Sequence, residues 1–446
     1  MRKKSRVFLI SLGCAKNLVD SETMLGILES KDFRFASGIE SAEIVLINTC
    51  GFIESAVEEA IDTILEVVRL KKRGMVKKVV VTGCFVQRYG YKLLREIPEV
   101  DGWLGTGEFG QIAEVIENDE AGASPPFIIG RPLYLADHTV PRIRTTPPYS
   151  AYLKIAEGCS HRCSYCIIPR LRGPFRSRSI DSLVREASQM VDQGVIEINL
   201  LAQDTTLYGQ DLDPGIHLED LLERLAQLDG IRWIRLLYCH PDRISDRLLE
   251  IIESEEVICP YLDVPQQHVS EKILKAMGRR VQWESAWDLL ERIRCRRCRI
   301  SLRTTLMVGF PGETETDFTE LCEFVRMAEF EHLGVFIFSR EKGTAAAHFK
   351  QSVSAAKAKR RRDTIMGIQA DISKKLNQRL VGNIIPTLVE GRSPETDLLL
   401  QGRSSTMAPD VDSRILINKG EGRVGKIMPV LICEAHAYDL VGEIRG

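Results

Sequence analysis

Three observations predict an α/β multidomain chain. Strand-length apolar runs alternate with helix-length stretches over residues 7–84. The same alternation resumes on a larger scale from Ala151 to Phe338. Beyond Leu380 only short β-type runs remain, separated by glycine turns. Alternation implies parallel sheets with helices on their faces, and the short terminal runs imply a small barrel. The expected architecture is an N-terminal Rossmann-like parallel sheet, a partial (β/α)6 TIM-barrel core and a C-terminal β-barrel.

Bulk composition sets the frame. A chain of 446 residues is long enough for roughly two to four domains. Its 44% hydrophobic and 27% charged residues are ordinary for a globular protein. A net charge of −2 lacks the basic footprint of a chain built wholesale to bind nucleic acid. No apolar run reaches the about 18 residues of a membrane span, so no membrane partner is expected. Twelve cysteines without an export signal point to a cytoplasmic setting, where thiols bind metal rather than pair. Met1–Arg6, Val7–Gly13 and Cys14 have the outline of a lipoprotein leader. Ser11 interrupts the apolar stretch and no small-residue cleavage pattern follows, so a buried strand is expected there instead.

In the first domain, strands are expected at Val7–Ser11, Glu43–Asn48 and Lys77–Thr82, with helices at Asn17–Ser30 and Phe52–Leu70. Cys14, Cys50 and Cys84 each lie two or three residues past a strand end. In a parallel sheet those ends share one edge, where ligands bind, so the three thiols should converge. Gly13, Gly51 and Gly83 flank them and allow tight turns beside a bulky group. The other reading is three separately buried core cysteines.

Residues 121–150 hold six of the eighteen prolines and read as a linker or extended hairpin. The core then starts with strand Ala151–Ala156 and runs into Cys159-Ser160-His161-Arg162-Cys163-Ser164-Tyr165-Cys166. Three thiols at C-x3-C-x2-C spacing must loop around something they bind. Thiolate is a soft ligand that selects zinc, copper(I) or iron–sulfur clusters. An ordinary 4Fe–4S cluster takes four thiolates, so three suggest a cluster with one iron open to another ligand; a zinc site is the alternative.

Further strands are expected at Glu197–Leu201, Trp233–Tyr238, Tyr261–Val264, Ser301–Val308 and Gly334–Phe338. Helices are expected at Ser182–Gln193, Leu218–Leu228, Ser245–Glu253, Glu271–Met277, Trp283–Ile293 and Glu315–Ala328. The turn Gly309-Phe310-Pro311-Gly312-Glu313 lets backbone approach a flat ligand, or simply joins strand to helix. Gln203, just past a strand end, either lines a ligand site or holds a turn. Arg170, Arg172, Arg176 and Arg178 either meet the carboxylate of a bound ligand or an acidic substrate, or sit solvated. Cys295 and Cys298 form a C-x2-C with no second pair nearby and read as incidental.

Lys357–Leu380 reads as a long basic helix with a solvated face (Lys357, Lys359, Arg360, Arg361, Arg362). After it come runs Ile384–Val389, Leu398–Gln401, Ile415–Ile417 and Lys426–Ile432. From Gln378 to Gly446 there are eight Lys/Arg against nine Asp/Glu, which is not the charge of a nucleic-acid-binding barrel.

The cysteine octapeptide, with an aromatic before its third thiol, resembles the signature of radical S-adenosylmethionine (SAM) enzymes. The terminal barrel resembles a TRAM module. Together with the three-cysteine first domain, the chain resembles the radical SAM methylthiotransferases over nearly its whole length. Within that family it is most similar to the branch that modifies an aspartate of small-subunit ribosomal protein twelve. Three stretches carry the finer likeness: Gly13–Glu22, Leu201–Gly209 and Ala408–Asp412. Relatives that modify tRNA typically differ in the first two. Ala15 departs from the Pro that many members of this branch carry, which alters turn rigidity and leaves the thiols untouched.

The resemblance implies domains at 5–121, 145–376 and 378–446, with a linker at 122–144. It implies a radical SAM 4Fe–4S cluster on Cys159, Cys163 and Cys166, and an auxiliary 4Fe–4S cluster on Cys14, Cys50 and Cys84. SAM is expected near Gln203, Gly309, Pro311, Gly312 and Glu313. The implied reaction is hydrogen abstraction from the aspartate β-carbon by a SAM-derived radical, followed by transfer of a methylated sulfur from the auxiliary cluster; a second SAM supplies the methyl group. The ribosomal protein is the expected partner, and tRNA is not. The sequence names neither an electron donor nor a sulfur source.

Overall fold

Parallel pairing organises both large sheets of the computed structural model, which describes residues 5–118, 124–279, 286–350 and 352–445. Met1–Lys4 of the leader-like stretch, residues 121–123 of the expected linker, and Trp283–Ser285 of one expected helix lie outside the described residues.

The N-terminal sheet contains β1 (Arg6–Ser11), β2 (Arg34–Phe35), β3 (Ile44–Thr49), β4 (Lys78–Gly83), β5 (Gly102–Leu104) and β6 (Phe127–Ile128). Their order is β2-β1-β3-β4-β5-β6, and every pair is parallel. β3 is buried at every position, as expected of a central strand covered on both faces. Helix α1 (Ala15–Ser30) follows β1, α2 (Glu54–Lys72) follows β3, and α3 (Cys84–Tyr89) follows β4. α1 buries polar as well as apolar residues, including Lys16, Asn17, Asp20, Ser21 and Glu22, because it is packed between its own sheet and the core.

The core sheet contains β7 (Ser150–Lys154), β10 (Glu197–Leu201), β11 (Trp233–Leu236), β12 (Ile258–Asp263), β13 (Ser301–Val308) and β14 (His332–Ile337); the short hairpin β8 (Ala156–Glu157) with β9 (Arg176–Ser177) stands apart. The order is β14-β13-β12-β11-β10-β7, all parallel and open at both edges, which gives the expected partial barrel. Ile198, Leu200, Ile234, Leu236, Leu262 and Leu302 point outward into the layer of helices. Parallel register puts Tyr152, Asn199 and Arg235 on the opposite, concave face. Val19 of α1 covers that face together with Leu388 and Ala408.

The C-terminal strands β15 (Ile384–Ser393), β16 (Thr396–Ser404), β17 (Ile415–Lys419), β18 (Ile427–Ala435) and β19 (Leu440–Ile444) close into a barrel, β15-β16-β17-β19-β18. The sequence reading missed β19, as well as the two- and three-residue strands β2, β5 and β6. The barrel is fixed to the core by Glu197, which receives Arg403 Nη2 at 2.6 Å and Arg235 Nη2 at 3.1 Å with all three side chains buried. Asp412 adds a second clamp, accepting from Tyr261 Oη at 2.8 Å and Arg303 Nη1 at 2.5 Å.

One expectation about the basic helix is corrected. Helix Ala355–Gln378 is not solvated at Arg361, whose 3%-exposed side chain pairs with Glu313 at 3.0 Å and Glu315 at 2.9 Å. No helix among the described residues is long and apolar enough to cross a membrane.

Candidate metal centres at the strand ends

β1, β3 and β4 are neighbours, so the loops that follow them lie side by side. Cys14 is the residue before α1, Cys50 follows β3, and Cys84 opens α3. Gly13 has φ +91°, and a Cβ there would stand 2.7 Å from Cys50 Cβ and 3.3 Å from its Sγ. Gly83, at φ +101°, packs against Thr49 in the same way. The three thiols follow neighbouring strands on one edge of the sheet with graded access: Cys14 exposed, Cys50 half-buried, Cys84 buried. Burial pushes the Cys84 thiol up to about 12 and raises Cys50 as well, while the Arg172 guanidinium opposes both shifts. A metal binding here displaces protons from these thiols.

The second set follows the hairpin strand β8. Gly158, at φ +75°, brings the chain against Pro174. Cys159 N–H donates to Gly173 O at 3.0 Å, Cys166 N–H to Cys163 O at 3.0 Å, and Ile168 N–H to Cys166 Sγ at 3.4 Å. Ser164 pins the middle of the loop, donating its N–H to Met277 O and its hydroxyl to Ala276 O, both at 2.8 Å. Burial pushes Cys159 up to about 11 and Cys166 to about 12.

Sequence patterns single out neither His161 nor Asp204. His161 Nε2 lies 2.6 Å from Asp204 Oδ2, and its ring stacks on His240 at 4.5 Å. Burial pushes His240 down to about 3, so it stacks as a neutral ring. Burial, the largest single influence, works against the Asp204 carboxylate, but the hydrogen bonds from His161 and Thr206 and the neighbouring imidazoles together outweigh it and hold the group below its usual range. Asp204 also accepts from Thr206 Oγ1 at 2.6 Å, and Thr206 accepts the His240 N–H at 2.9 Å. The stretch after β10 is thereby a brace for the cysteine loop.

The two loops are linked by packing: Cys84 lies with Ile167, Leu171 and Phe52 in one cluster, and Ile167 is the chain neighbour of Cys166. Beside it, Arg172 reaches across to Asp20 Oδ2 at 2.6 Å and Asn17 Oδ1 at 2.7 Å. Lys154 pairs with Asp20 and, at 2.7 Å, with Glu157, completing a buried quartet of two cations and two anions. Arg172 is thus neither solvated nor open to a ligand. Arg178 is also buried, pairing with Glu186 at 2.5 Å. Arg170 donates to Gly343 O at 2.9 Å and Arg176 to Pro174 O at 2.8 Å.

The remaining expected residues divide. Gln203 is half-buried at the C-terminal end of β10, on the same edge as the cysteine loop. Gly309 (φ +76°) and Gly312 (φ +90°) form the turn after β13 with Pro311. Glu313 has a fully buried carboxylate: Oε2 accepts the Gly309 N–H and pairs with Arg361, closing the turn from within, while Oε1 has no hydrogen-bond partner among the described residues. Cys295 is exposed and Cys298 half-buried, away from both thiol sets. Cys239, Cys259 and Cys322 are buried singly.

Comparison with known proteins follows the same division of the chain. Residues 6–105 match the Uncharacterized protein family UPF0004, residues 153–325 the Radical SAM superfamily, and residues 381–444 the TRAM domain. Among solved structures, the cobalamin- and 4Fe–4S-bound radical SAM methyltransferase TsrM of Kitasatospora setae shares the fold. Its TM-score is 0.57 at 15% identity over 88% of this chain and 78% of that one. The ribosomal protein uS12 methylthiotransferase RimO of Pelobacter propionicus is 47% identical, covering 99% of this chain and 98% of its own. That of Syntrophotalea carbinolica is 48% identical, covering 99% and 97%. Such likeness, carried from end to end through all three modules, is that of a common family: the chain belongs to the ribosomal protein uS12 methylthiotransferases.

Proposed function

We propose that this chain is a cytoplasmic radical SAM methylthiotransferase that modifies the β-carbon of an aspartate in ribosomal protein uS12. The observation that carries the reading is the pair of three-thiol sets, one after β1, β3 and β4 and one after β8, linked by the packing of Cys84 on Ile167. The donor chemistry fits: each set offers three soft ligands, as a 4Fe–4S cluster with one open iron requires. Cys159, Cys163 and Cys166 would hold the radical SAM cluster, and Cys14, Cys50 and Cys84 the auxiliary one. With SAM bound, these groups supply hydrogen abstraction and methylthio transfer.

The chain's own contribution is placement. Ser164 and Asp204 fix the first loop, the glycine turns seat the second, and the buried quartet locks one set against the other. A closed, polar junction of this kind excludes water from reacting groups. The near-neutral barrel, whose Arg403 is already spent on Glu197, favours a protein substrate over tRNA.

The test is anaerobic reconstitution with iron and sulfide, on the wild type and on a Cys159→Ala/Cys163→Ala/Cys166→Ala variant. About eight irons are expected in the wild type and about four in the variant. Incubation with SAM, reductant and sulfide should then add one SCH2 unit to uS12 by mass spectrometry. Wild type holding only about four irons, or addition to tRNA in place of uS12, would overturn the proposal.

A further inference from the structure

Among the described residues, Lys16 is a buried cation without a carboxylate partner. It is 5% exposed, second in α1 and two residues beyond Cys14. Its Nζ stands 3.1 Å from the centre of the Tyr238 ring, and its one hydrogen bond, at 3.4 Å, goes to Ala202 O. An ammonium carries three donors, so two remain to be met. Among the described residues no carboxylate lies within the 4.0 Å of an ion pair. A buried charge left unpaired is costly, and such charges are normally matched.

The neighbouring acids are committed elsewhere. Asp20 serves Arg172 and Lys154, Glu157 serves Lys154, and Asp204 serves His161. Asp263 accepts the Tyr238 N–H at 3.0 Å and faces Arg303 at 3.8 Å. Tyr238 itself is held at φ +60°, a conformation rare for an aromatic residue. The bonds that hold it are the one to Asp263 and the Thr205 N–H to Tyr238 O at 2.9 Å. The structure thus maintains strain to keep a ring beneath this ammonium.

Position supplies the function. Ala202 and Tyr238 follow β10 and β11 at the C-terminal ends of the core strands, where such barrels work. Lys16 lies two residues past Cys14 in the chain, whereas Arg279, hydrogen-bonded to Tyr165 at 3.4 Å, lies against the Cys159 loop.

We propose that Lys16 is the specificity-determining residue that receives a carboxylate at this junction, that of the target aspartate, and so holds its β-carbon beside the Cys14 thiol set. The proposal rests on the uS12 reading above. An aspartate β-carbon is one bond from its carboxyl carbon, so pairing the carboxylate fixes the carbon to be modified. A site built around an unmatched cation rejects a neutral isostere, because the cation would then stay buried and unpaired.

The experiment uses the reconstituted holoenzyme and two labelled peptides spanning the uS12 target, one with the native aspartate and one with asparagine in its place. Anaerobic fluorescence anisotropy gives their Kd values with wild type, Lys16→Met and Lys16→Arg. Wild type should prefer the aspartate peptide by about 10- to 100-fold, the range of a charged hydrogen bond. Lys16→Met should erase that preference by weakening only the aspartate peptide, and Lys16→Arg should keep most of it. Iron content and SAM affinity should be unchanged in both variants.

A preference that survives in Lys16→Met overturns the proposal, as does a wild type that binds both peptides equally, whatever the variants do. Loss of SAM affinity with the peptide preference intact assigns the carboxylate to SAM and overturns it too. The uS12 reading fails separately: a wild type that methylthiolates tRNA and not uS12 removes both ideas. A wild type active on uS12, with discrimination independent of Lys16, removes only this one.

Discussion

Arg172 Nη1 donates to Asp20 Oδ2 at 2.6 Å, joining residues 152 positions apart with side chains 2% and 1% exposed. The pair spans the junction between α1 and the cysteine-bearing core. Substituting Arg172→Met leaves Asp20 and Glu157 to share Lys154. Breaking a buried pair from one side typically costs about 3–5 kcal/mol, because the remaining charge is stranded. The variant is expected to melt at lower temperature and to lose iron first from the Cys14 set, whose Cys84 thiol lies beside the guanidinium. Removing both partners, with Arg172→Met/Asp20→Asn, should cost less than the sum of the single changes. Unchanged melting and full iron in Arg172→Met would show that the pair does not lock the junction.

That junction also marks where the sequence stops being legible. Strand–helix alternation located the central strands of both sheets because each is a long apolar run under helices; Ser301–Val308 and Glu197–Leu201 need no change of boundary. The thiols announced themselves by spacing and by position after strands. Lys16, Asp20 and Asp204 did not, and Arg172 stood out only as one of four arginines after the cysteine loop, since each takes its meaning from a partner far along the chain. Arg361 failed for the same reason: inside a run of basic residues it looks solvated, and only the fold brings Glu313 to it. β19 and the two-residue strands carry too little periodicity to be read at all.

Glu197 ties barrel docking to pH. Burial alone would raise its carboxyl, but Arg403 and Arg235 outweigh that and bring it down to about 2 from 4.5. A depressed acid contributes stability that is complete above its unfolded value and lost as pH falls through the folded one. The contribution, about 3 kcal/mol by linkage, should therefore hold from neutrality to about pH 4.5 and fade towards pH 2. Denaturant unfolding should show Glu197→Gln less stable than wild type by a constant margin between pH 7 and 5, shrinking below. A margin that grows on acidification would contradict the assignment.

Asp204 should govern iron retention at the second set and leave the first alone. Its hydrogen bond orients His161 inside the cysteine loop. Losing the partner of a residue that orients a metal site commonly costs about 10–100-fold in affinity. Asp204→Asn holoenzyme challenged with a chelator should release about four irons quickly and the other four at the wild-type rate. Equal release from both sets would assign Asp204 to general stability.

The Cys14 set can be probed without touching a thiol. Gly13 has φ +91°, and a methyl group there would stand 2.7 Å from Cys50 Cβ, closer than real carbon atoms approach. Gly13→Ala must push the Cys50 loop away from the Cys14 loop, spoiling the spacing a cluster requires. The backbone penalty for an L-residue in that region adds about 1–2 kcal/mol. Gly74 separates the two effects, since it has φ +75° with nothing within 4 Å of its added Cβ. Gly74→Ala should therefore lower stability by the backbone penalty alone and keep every iron. Gly13→Ala should lose about half the iron, retain SAM cleavage at the second set and fail to methylthiolate. If both alanine variants kept full iron, the contact between Gly13 and Cys50 would be incidental, and Cys14 and Cys50 would not hold one cluster.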